Sequence, residues 1–260
     1  MLICIDIANT DITLGLFDDA RLLATWRLAA DTARTEDEYG LQVQALLAQR
    51  ALLAQRDKGE EAVEGAVLAS VVPGLTPVWQ AVCRQALHVE PLVVGAGLRT
   101  GLRLRTENPR QLGADRVANA VAAKALYGGP TCVVDFGTTT TFDALAANGD
   151  YLGHAIAPGL VMAAAALSAG AAQLPEVALA RPQQVIGRNT VESMQAGLIY
   201  GYVGLVEGLV ERFRAVLGEG MHVVATGQHA ELIAAETRVI ERVEPWLTLA
   251  GLRLIWEMNR

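Results

Sequence analysis

Short apolar runs that end in an aspartate organise this chain. Leu2-Ile3-Cys4-Ile5 reads as a buried strand closed by Asp6-Ile7-Ala8-Asn9-Thr10, and Cys132-Val133-Val134 as another closed by Asp135-Phe136-Gly137-Thr138-Thr139. Each is followed by a second strand-like run, Thr13 to Phe17 and Thr141 to Leu145, which ends in a turn at Asp18-Asp19 or Asn148-Gly149-Asp150. Ala66 to Val72 reads as a strand stopped by Pro73, Leu75 to Leu87 as a helix and Pro91 to Val94 as a strand, a βαβ rhythm. Gly113 to Asn119 opens an amphipathic helix that reaches about Leu126. Val191 to Val216 is a long helical stretch whose Gly197, Gly201, Gly204 and Gly208 are spaced for close packing, and His222 to Thr226 is a strand closed by Gly227.

Asp31 to Arg56 also reads as helical, with an acidic start at Thr35-Glu36-Asp37-Glu38. It holds a literal repeat, Ala45 to Arg50 followed by Ala51 to Arg56. Six residues turn a helix by about 600°, so the second copy faces roughly 120° away from the first and the two cannot share one buried face. The repeat therefore lengthens a surface helix.

The paired corners carry chemistry as well as structure. A carboxylate buried without a partner is strongly disfavoured, so Asp6 and Asp135 are expected to face a cleft and hold a metal or a water. A small residue two positions on lets backbone N–H groups approach oxygen atoms, and the neighbouring Asn and Thr side chains add donors. Two such corners predict a duplicated nucleotide-binding fold, with domains at 1–112 and 113–260.

Composition narrows this reading. The 52% hydrophobic content with only 5% aromatics suits a helix-rich α/β protein with filled cores. A net charge of −7 argues against a nucleic-acid or anionic-membrane partner, so an anionic ligand must be held by dipoles, local cations or a metal. Cys4, Cys83 and Cys132 have no paired spacing and read as buried thiols in a reducing, cytoplasmic setting. With His88, His154, His222 and His229 they form no metal cluster, and His154 and His229 read as structural or exposed. The first strand carries Asp6 and is no signal peptide, while the longest apolar stretch, Ala155 to Leu167, is broken by Pro158-Gly159 and is no membrane span.

The order of motifs resembles the type III pantothenate kinases of the acetate and sugar kinase, Hsp70 and actin superfamily. The stretches that carry it are Asp6 to Thr10, Arg34 to Tyr39, Ser70 to Pro73, Asn108-Pro109-Arg110 leading to Gly113-Ala114-Asp115-Arg116, Asp135 to Thr138, Ala157-Pro158-Gly159, Gly187 to Thr190, and Ala225-Thr226-Gly227. The resemblance implies two actin-like (ribonuclease H-like) domains, each a mixed sheet flanked by helices, with the active site in the cleft between them. It implies transfer of the γ-phosphoryl group of ATP to pantothenate in coenzyme A biosynthesis, with Mg²⁺, a monovalent cation such as K⁺ or NH₄⁺, and a homodimer. Asp115 matches the catalytic base. Asp6, Ile7, Ala8, Asn9, Thr10, Asp11, Ile12 and Thr13 match the ATP loop, Asp6 being the carboxylate near Mg²⁺, and Thr138 matches a further ATP contact. Gly113, Ala114, Asp115, Arg116 and Thr190 match pantothenate contacts, and Asp135 the monovalent-cation ligand. Thr106 stands where the family carries a substrate-contacting Tyr; Ala8 and His154 replace Gly residues, as does Gln228 after Gly227.

The residue types also admit plainer roles. Asp115-Arg116 suits a helix start with a surface ion pair, and Thr190 suits an N-cap. A non-catalytic relative that binds nucleotide or a metabolite, or a kinase for another small alcohol, would keep the same corners.

Overall fold

The computed structural model describes residues 1–54 and 62–260, so Gln55 and Arg56, the end of the second repeat copy, lie outside the described residues. The chain folds as two compact units: Met1–Gly101, Arg110–Ala122 and Thr248–Arg260 form the first, Leu102–Pro109 and Ala123–Leu247 the second. The expected boundary at 112/113 falls inside the segment Arg110–Ala122.

The first unit is built on β1 (Leu2–Ile7), β2 (Asp11–Asp18), β3 (Arg21–Ala29), β4 (Gly65–Ser70) and β5 (Pro91–Val93), with α1 (Glu36–Ala54), α2 (Leu75–Ala86), the start of α3 (Ala114–Tyr127) and most of α7 (Leu247–Asn259). Its strand order is β3-β2-β1-β4-β5, antiparallel across β3, β2 and β1, and parallel from β1 to β4 and β5. The second unit holds β6 (Thr131–Phe136), β7 (Thr139–Leu145), β8 (Tyr151–Pro158), β9 (His222–Thr226) and β10 (Arg242–Val243), with α4 (Leu160–Gly170), α5 (Thr190–Leu217) and α6 (Ala230–Ala234). Its order, β10-β9-β6-β7-β8, repeats the first strand for strand and sense for sense. The duplication expected from the two corners is thus a duplication of whole mixed sheets.

Side-chain alternation decides which face of each sheet is core. In β1, Ile3, Ile5 and Ile7 enter a buried cluster with Ile12, Leu14, Leu68, Trp79 and Val82, which α1 and α2 complete. Leu2, Cys4 and Asp6 take the opposite face, because successive strand residues point to opposite sides. That face receives α7. A Cβ on Gly15 would stand 2.7 Å from Leu249, one on Gly65 2.3 Å from the Trp256 ring, and one on Gly251 1.9 Å from the Ala118 carbonyl, so three glycines admit α7 against the sheet and α3. In β6 the core-facing residues are Cys132, Val134 and Phe136, packed with Phe142, Val223, Ala225 and the α5 residues Ile199, Val206 and Val210. Asp135 again takes the other face.

Several expectations change. The helix expected from Asp31 starts only at Glu36, where Thr35 and Glu38 make a capping box: Thr35 N donates to Glu38 Oε2 at 2.9 Å and Glu38 N to Thr35 Oγ1 at 3.4 Å. Asp31 instead sits in a turn held by the Tyr39 hydroxyl, which accepts from Asp31 N. Strands β3 and β8 follow each return strand and were not apparent in the apolar runs, since both show a weak, half-exposed alternation. The apolar stretch from Ala155 is split between β8 and α4. In the repeat, Leu46 and Leu47 pack on the core while Leu52 of the second copy is exposed, as the 120° turn requires. The α5 glycines do not pack closely: nothing lies within 4 Å of a Cβ built on Gly197, Gly201 or Gly204, because the buried stripe runs through Met194, Leu198, Tyr202, Val206 and Val210 instead.

All three cysteines are buried and free of disulfides. Burial raises the Cys4 and Cys132 thiols well above their usual range and pushes Cys83 up to about 12. Among the described residues no helix is long and apolar enough to cross a membrane.

Just past α2, His88 holds a left-handed φ of 58°. A Cβ-bearing residue there costs about 1 kcal/mol relative to glycine. His88→Gly is therefore expected to raise the melting temperature by about 2–4 °C in a scan; an unchanged or lower value would contradict the strain.

Candidate active site

In the first unit, Asp6 pairs with Thr13 of β2 and Ala69 of β4 near the carboxyl ends of the two parallel strands. The connecting loop is tight: Ala8 N donates to Asp11 O at 3.0 Å and Ala30 N to Thr10 O at 3.1 Å. Ala8 lies outside the left-handed region, since the only non-glycine residues with positive φ among the described residues are Asp19 and His88. Its methyl group therefore causes no backbone strain. Asn9 and Thr10 form the exposed tip, whereas Ile7 and Ile12 are wholly buried in the core and can offer a ligand only main-chain atoms. The Asp11 carboxylate is tied to Arg27, whose Nε and Nη2 donate to Oδ2 at 3.0 and 2.7 Å.

Asp115 comes to the same corner from α3. Val71, just beyond β4, donates its N–H to Ile7 O at 3.0 Å, and a Cβ on Gly113 would lie 3.4 Å from Val71 Cγ1. The start of α3 therefore rests at the carboxyl ends of β1 and β4, on the sheet face that carries Asp6. Gly113 is required for a second reason: its Cβ would stand 2.4 Å from Asp115 Oδ1. Asp115 Oδ1 accepts from Arg116 N at 2.8 Å, which holds the carboxylate over the first turn, where the helix dipole favours negative charge. Arg116 itself is largely buried rather than a solvated partner. Further along α3 the buried Asn119 accepts from Thr248 Oγ1 at 2.8 Å, which locks α3 to the first turn of α7.

In the second unit, Asp135 occupies the position of Asp6 in the repeated sheet, between Thr141 and Thr226. Main chain crowds it. Gly227 has φ +90°, and a Cβ there would lie 2.6 Å from Asp135 Oδ1 and 2.7 Å from Phe136 O; a Cβ on Gly159 would lie 2.2 Å from Thr138 O and 2.7 Å from Gly137 O. The carbonyl oxygens of Phe136, Gly137 and Thr138 belong to the same turn as the Asp135 carboxylate. Thr138 sits in this loop. The Tyr202 hydroxyl pins the next residues by bonding both Thr140 Oγ1 and the Pro158 carbonyl.

Thr190 is the first residue of α5, and the cap is Asn189, whose Oδ1 accepts from Glu192 N at 2.9 Å. Thr190 is thus not the N-cap. Its surroundings are set by close approach: Arg188 N donates to Glu192 Oε2 at 3.0 Å, and a Cβ on Gly187 would stand 2.3 Å from Ser193 N. Here lies an open cavity of about 570 Å³, lined by Leu167, Leu174, Gly187, Arg188, Asn189, Thr190, Ser193, Met194 and Gly197. That volume suits a small ligand. Thr106 belongs to a segment docked on β8, where Tyr151 N donates to Arg103 O at 2.9 Å and Arg105 N to Tyr151 O at 2.8 Å. Its Oγ1 is buried without a hydrogen-bond partner among the described residues.

The sequence reading missed one polar group in this unit. Asp143 is wholly buried on β7 and hydrogen-bonded to Tyr151 and Thr141. The signal was an aspartate inside an apolar strand run, Phe142-Asp143-Ala144-Leu145, which a pattern of apolar residues absorbs.

The chain is similar to known proteins over most or all of its length. The family model for type III pantothenate kinase matches residues 2–212. The type III pantothenate kinases of Moorella thermoacetica and a Roseiflexus species are each 51% identical to this chain, over 259 and 260 residues and 100% of both sequences. That of Geobacillus thermodenitrificans is 45% identical over 259 residues, 100% of this chain and 98% of its own length. Among solved structures, a conserved putative Baf family transcriptional activator from Campylobacter jejuni aligns with a TM-score of 0.59 at 17% identity, covering 98% of this chain and 97% of that one. The ethanolamine utilization protein EutJ from Carboxydothermus hydrogenoformans aligns with a TM-score of 0.55 at 16% identity, covering 97% and 89%. At such identities these structures speak for the fold alone. With four-fifths of the chain matched by the family model and half its residues shared with full-length relatives, the chain belongs to the type III pantothenate kinases.

Proposed function

We propose that the chain transfers the γ-phosphoryl group of ATP to the primary hydroxyl of pantothenate, the first step of coenzyme A biosynthesis, with Asp115 as the base. The observation that carries this reading is the pair of aspartates at one corner of the first unit: Asp6 at the end of β1 and Asp115 in the first turn of α3. Phosphoryl transfer asks little covalent chemistry of the protein; it asks for positioning, charge neutralisation and a group that takes the hydroxyl proton.

Asp6 is the carboxylate directed to the ATP phosphates and Mg²⁺. One carboxylate suffices there, because Mg²⁺ takes few protein ligands and completes its shell with phosphate and water oxygens. The loop through Thr13 supplies main-chain groups and the Asn9 and Thr10 side chains, and Thr138 is a further ATP contact. Gly113, Ala114, Arg116, Thr106 and Thr190 act on the acceptor side. Asp135, with the carbonyl oxygens around it, would hold K⁺ or NH₄⁺, whose charge offsets that of the phosphates in an acidic protein. The working form is a homodimer in the cytoplasm.

The test follows ADP release with ATP, Mg²⁺, K⁺ and pantothenate. Omitting pantothenate is expected to abolish it, and replacing K⁺ by Na⁺ to slow it by about tenfold, or ~1.4 kcal/mol of transition-state stabilisation. Turnover that ignores pantothenate would overturn the acceptor, and equal rates in the two salts would overturn the role of Asp135.

A further inference from the structure

The cavity at the start of α5 has walls of uneven chemistry. Leu167, Leu174 and Met194 give it apolar sides, Thr190 and Ser193 add hydroxyls, and of the residues that line it only Arg188 carries a charge. The main chain of Arg188 is held in place. Its N–H donates to Glu192 Oε2 at 3.0 Å, and the preceding Gly187 lies so close to α5 that a Cβ there would stand 2.3 Å from Ser193 N. The Arg188 side chain is exposed, and among the described residues no carboxylate forms an ion pair with its guanidinium. Glu192, the nearest acid in sequence, bonds the main chain instead.

A cation without an ion-pair partner, set beside apolar walls and neutral donors, suits a ligand that brings one negative charge on a small and otherwise uncharged body. The end of α5 does not meet that charge itself, because Glu192 N is bonded to Asn189 Oδ1 and Ser193 N to Asn189 O. The side chain must. Pantothenate is a ligand of this kind: an amide with two hydroxyls and one ionised group, a carboxylate, at the end remote from the hydroxyl that is phosphorylated. Asp115 would repel that carboxylate, and Arg116, the other cation assigned to the acceptor, is largely buried and already engaged. An arginine also fits the group by shape, since its planar fork can donate to both carboxylate oxygens where a lysine offers a point charge.

We propose that Arg188 is a specificity residue for the acceptor: its guanidinium donates to the carboxylate of pantothenate and so selects the acid over alcohols that carry a neutral group at that end. This rests on the proposed function, and in particular on the acceptor-side role of Thr190, which lines the same cavity. The walls of Leu167, Leu174 and Met194 strengthen the pair, because they exclude water that would otherwise screen it. A merely solvated arginine would show no preference between a charged and a neutral acceptor.

The experiment measures steady-state turnover of the full chain, Arg188→Ala and Arg188→Lys with two acceptors, pantothenate and panthenol, in which a hydroxymethyl group replaces the carboxylate. Arg188→Ala is expected to raise the KM for pantothenate by about 10- to 100-fold, the worth of a charged hydrogen-bonded pair, with the KM for ATP within about twofold. Its KM for panthenol should stay within about twofold of wild type, because that acceptor has no charge to lose, so the preference for pantothenate collapses. Arg188→Lys keeps the charge without the fork and is expected to recover part of the loss, leaving the KM for pantothenate about three- to tenfold above wild type. Calorimetric titration of both compounds into the three proteins reads the same preferences without turnover. If wild type binds pantothenate but does not turn over, the kinase reading fails and the titration still decides the role of Arg188. Absence of pantothenate binding in wild type overturns both. An unchanged pantothenate KM and affinity in Arg188→Ala, or an equal loss for the two acceptors, would overturn this inference alone.

Discussion

Asp115→Asn is expected to lower kcat for pantothenate phosphorylation by about 10²- to 10⁴-fold, the usual share of a positioned general base, with pantothenate affinity within about threefold of wild type. Asparagine keeps the shape and the acceptor oxygen that receives Arg116 N, so the start of α3 is preserved. What it loses is the capacity to take the hydroxyl proton as the phosphoryl group leaves ATP. It also loses a negative charge at a helix N-terminus, worth about 0.3–1 kcal/mol, so a small fall in melting temperature should accompany the loss of rate. Single-turnover measurement of ADP formation beside calorimetric titration of pantothenate separates the two effects. A variant that retains a tenth or more of wild-type kcat would remove Asp115 from the chemistry and leave it only the role of a first-turn acid.

Much of this arrangement was legible in the residues, for reasons that differ from part to part. The first two strands of each sheet were readable because each is a short apolar run that stops at a polar corner, and the twofold occurrence of that corner made duplication the economical reading. The third strands, β3 and β8, were not, because each is half-buried and its alternation is diluted by exposed apolar residues such as Leu152 and Ile156. Their existence follows from sheet closure, which no local window contains. The α5 glycines show the opposite failure. Spacing at i, i+3 and i+4 places residues on one stripe, but it does not say whether the stripe faces the core, and here Leu198, Tyr202 and Val206 claim the core while the glycines face outward.

At the site, residue types carried further than geometry. Asp6 and Asp135 stood out because carboxylates at the ends of apolar strands are hard to explain as filling, whereas Asp115 was marked by the family resemblance alone. Spacing alone says nothing of the 2.4 Å between Asp115 Oδ1 and a Cβ on Gly113, which makes that glycine a condition for placing the base. Nor does it show that Asn189 caps α5, which releases Thr190 for another role. The network of Asp143, Tyr151 and His154 was invisible for a simpler reason: its members belong to two strands whose register is offset by an irregularity at Ala144 and Leu145. Counting along one strand cannot place them together.

Gly227→Ala is expected to destabilise the protein by about 3 kcal/mol, and to do so at the cation corner. Two costs combine. An alanine forced to φ near +90° loses about 1–2 kcal/mol, and a methyl group driven into a packed site typically costs about 1–3 kcal/mol more. The methyl would stand 2.6 Å from Asp135 Oδ1 and 2.7 Å from both the carbonyl carbon and oxygen of Phe136. The Phe136 atoms belong to the end of a central strand and cannot move cheaply, so the Asp135 carboxylate must swing away. Stability and ion activation should therefore fail together: a melting temperature lower by about 6–12 °C, and a K⁺ concentration for half-maximal rate raised by about tenfold or more. Gly204→Ala supplies the contrast, since nothing lies within 4 Å of a Cβ there and the residue is in mid-helix. That change is expected to stabilise by about 0.5–1 kcal/mol with K⁺ activation unaltered. Thermal unfolding and a K⁺ titration of initial rates on the two variants decide the matter. If Gly227→Ala melts within about 2 °C of wild type and keeps its K⁺ response, the close approach of the β9 corner to Asp135 does not govern the cation site, and the carboxylate must be held by something other than the glycine beside it.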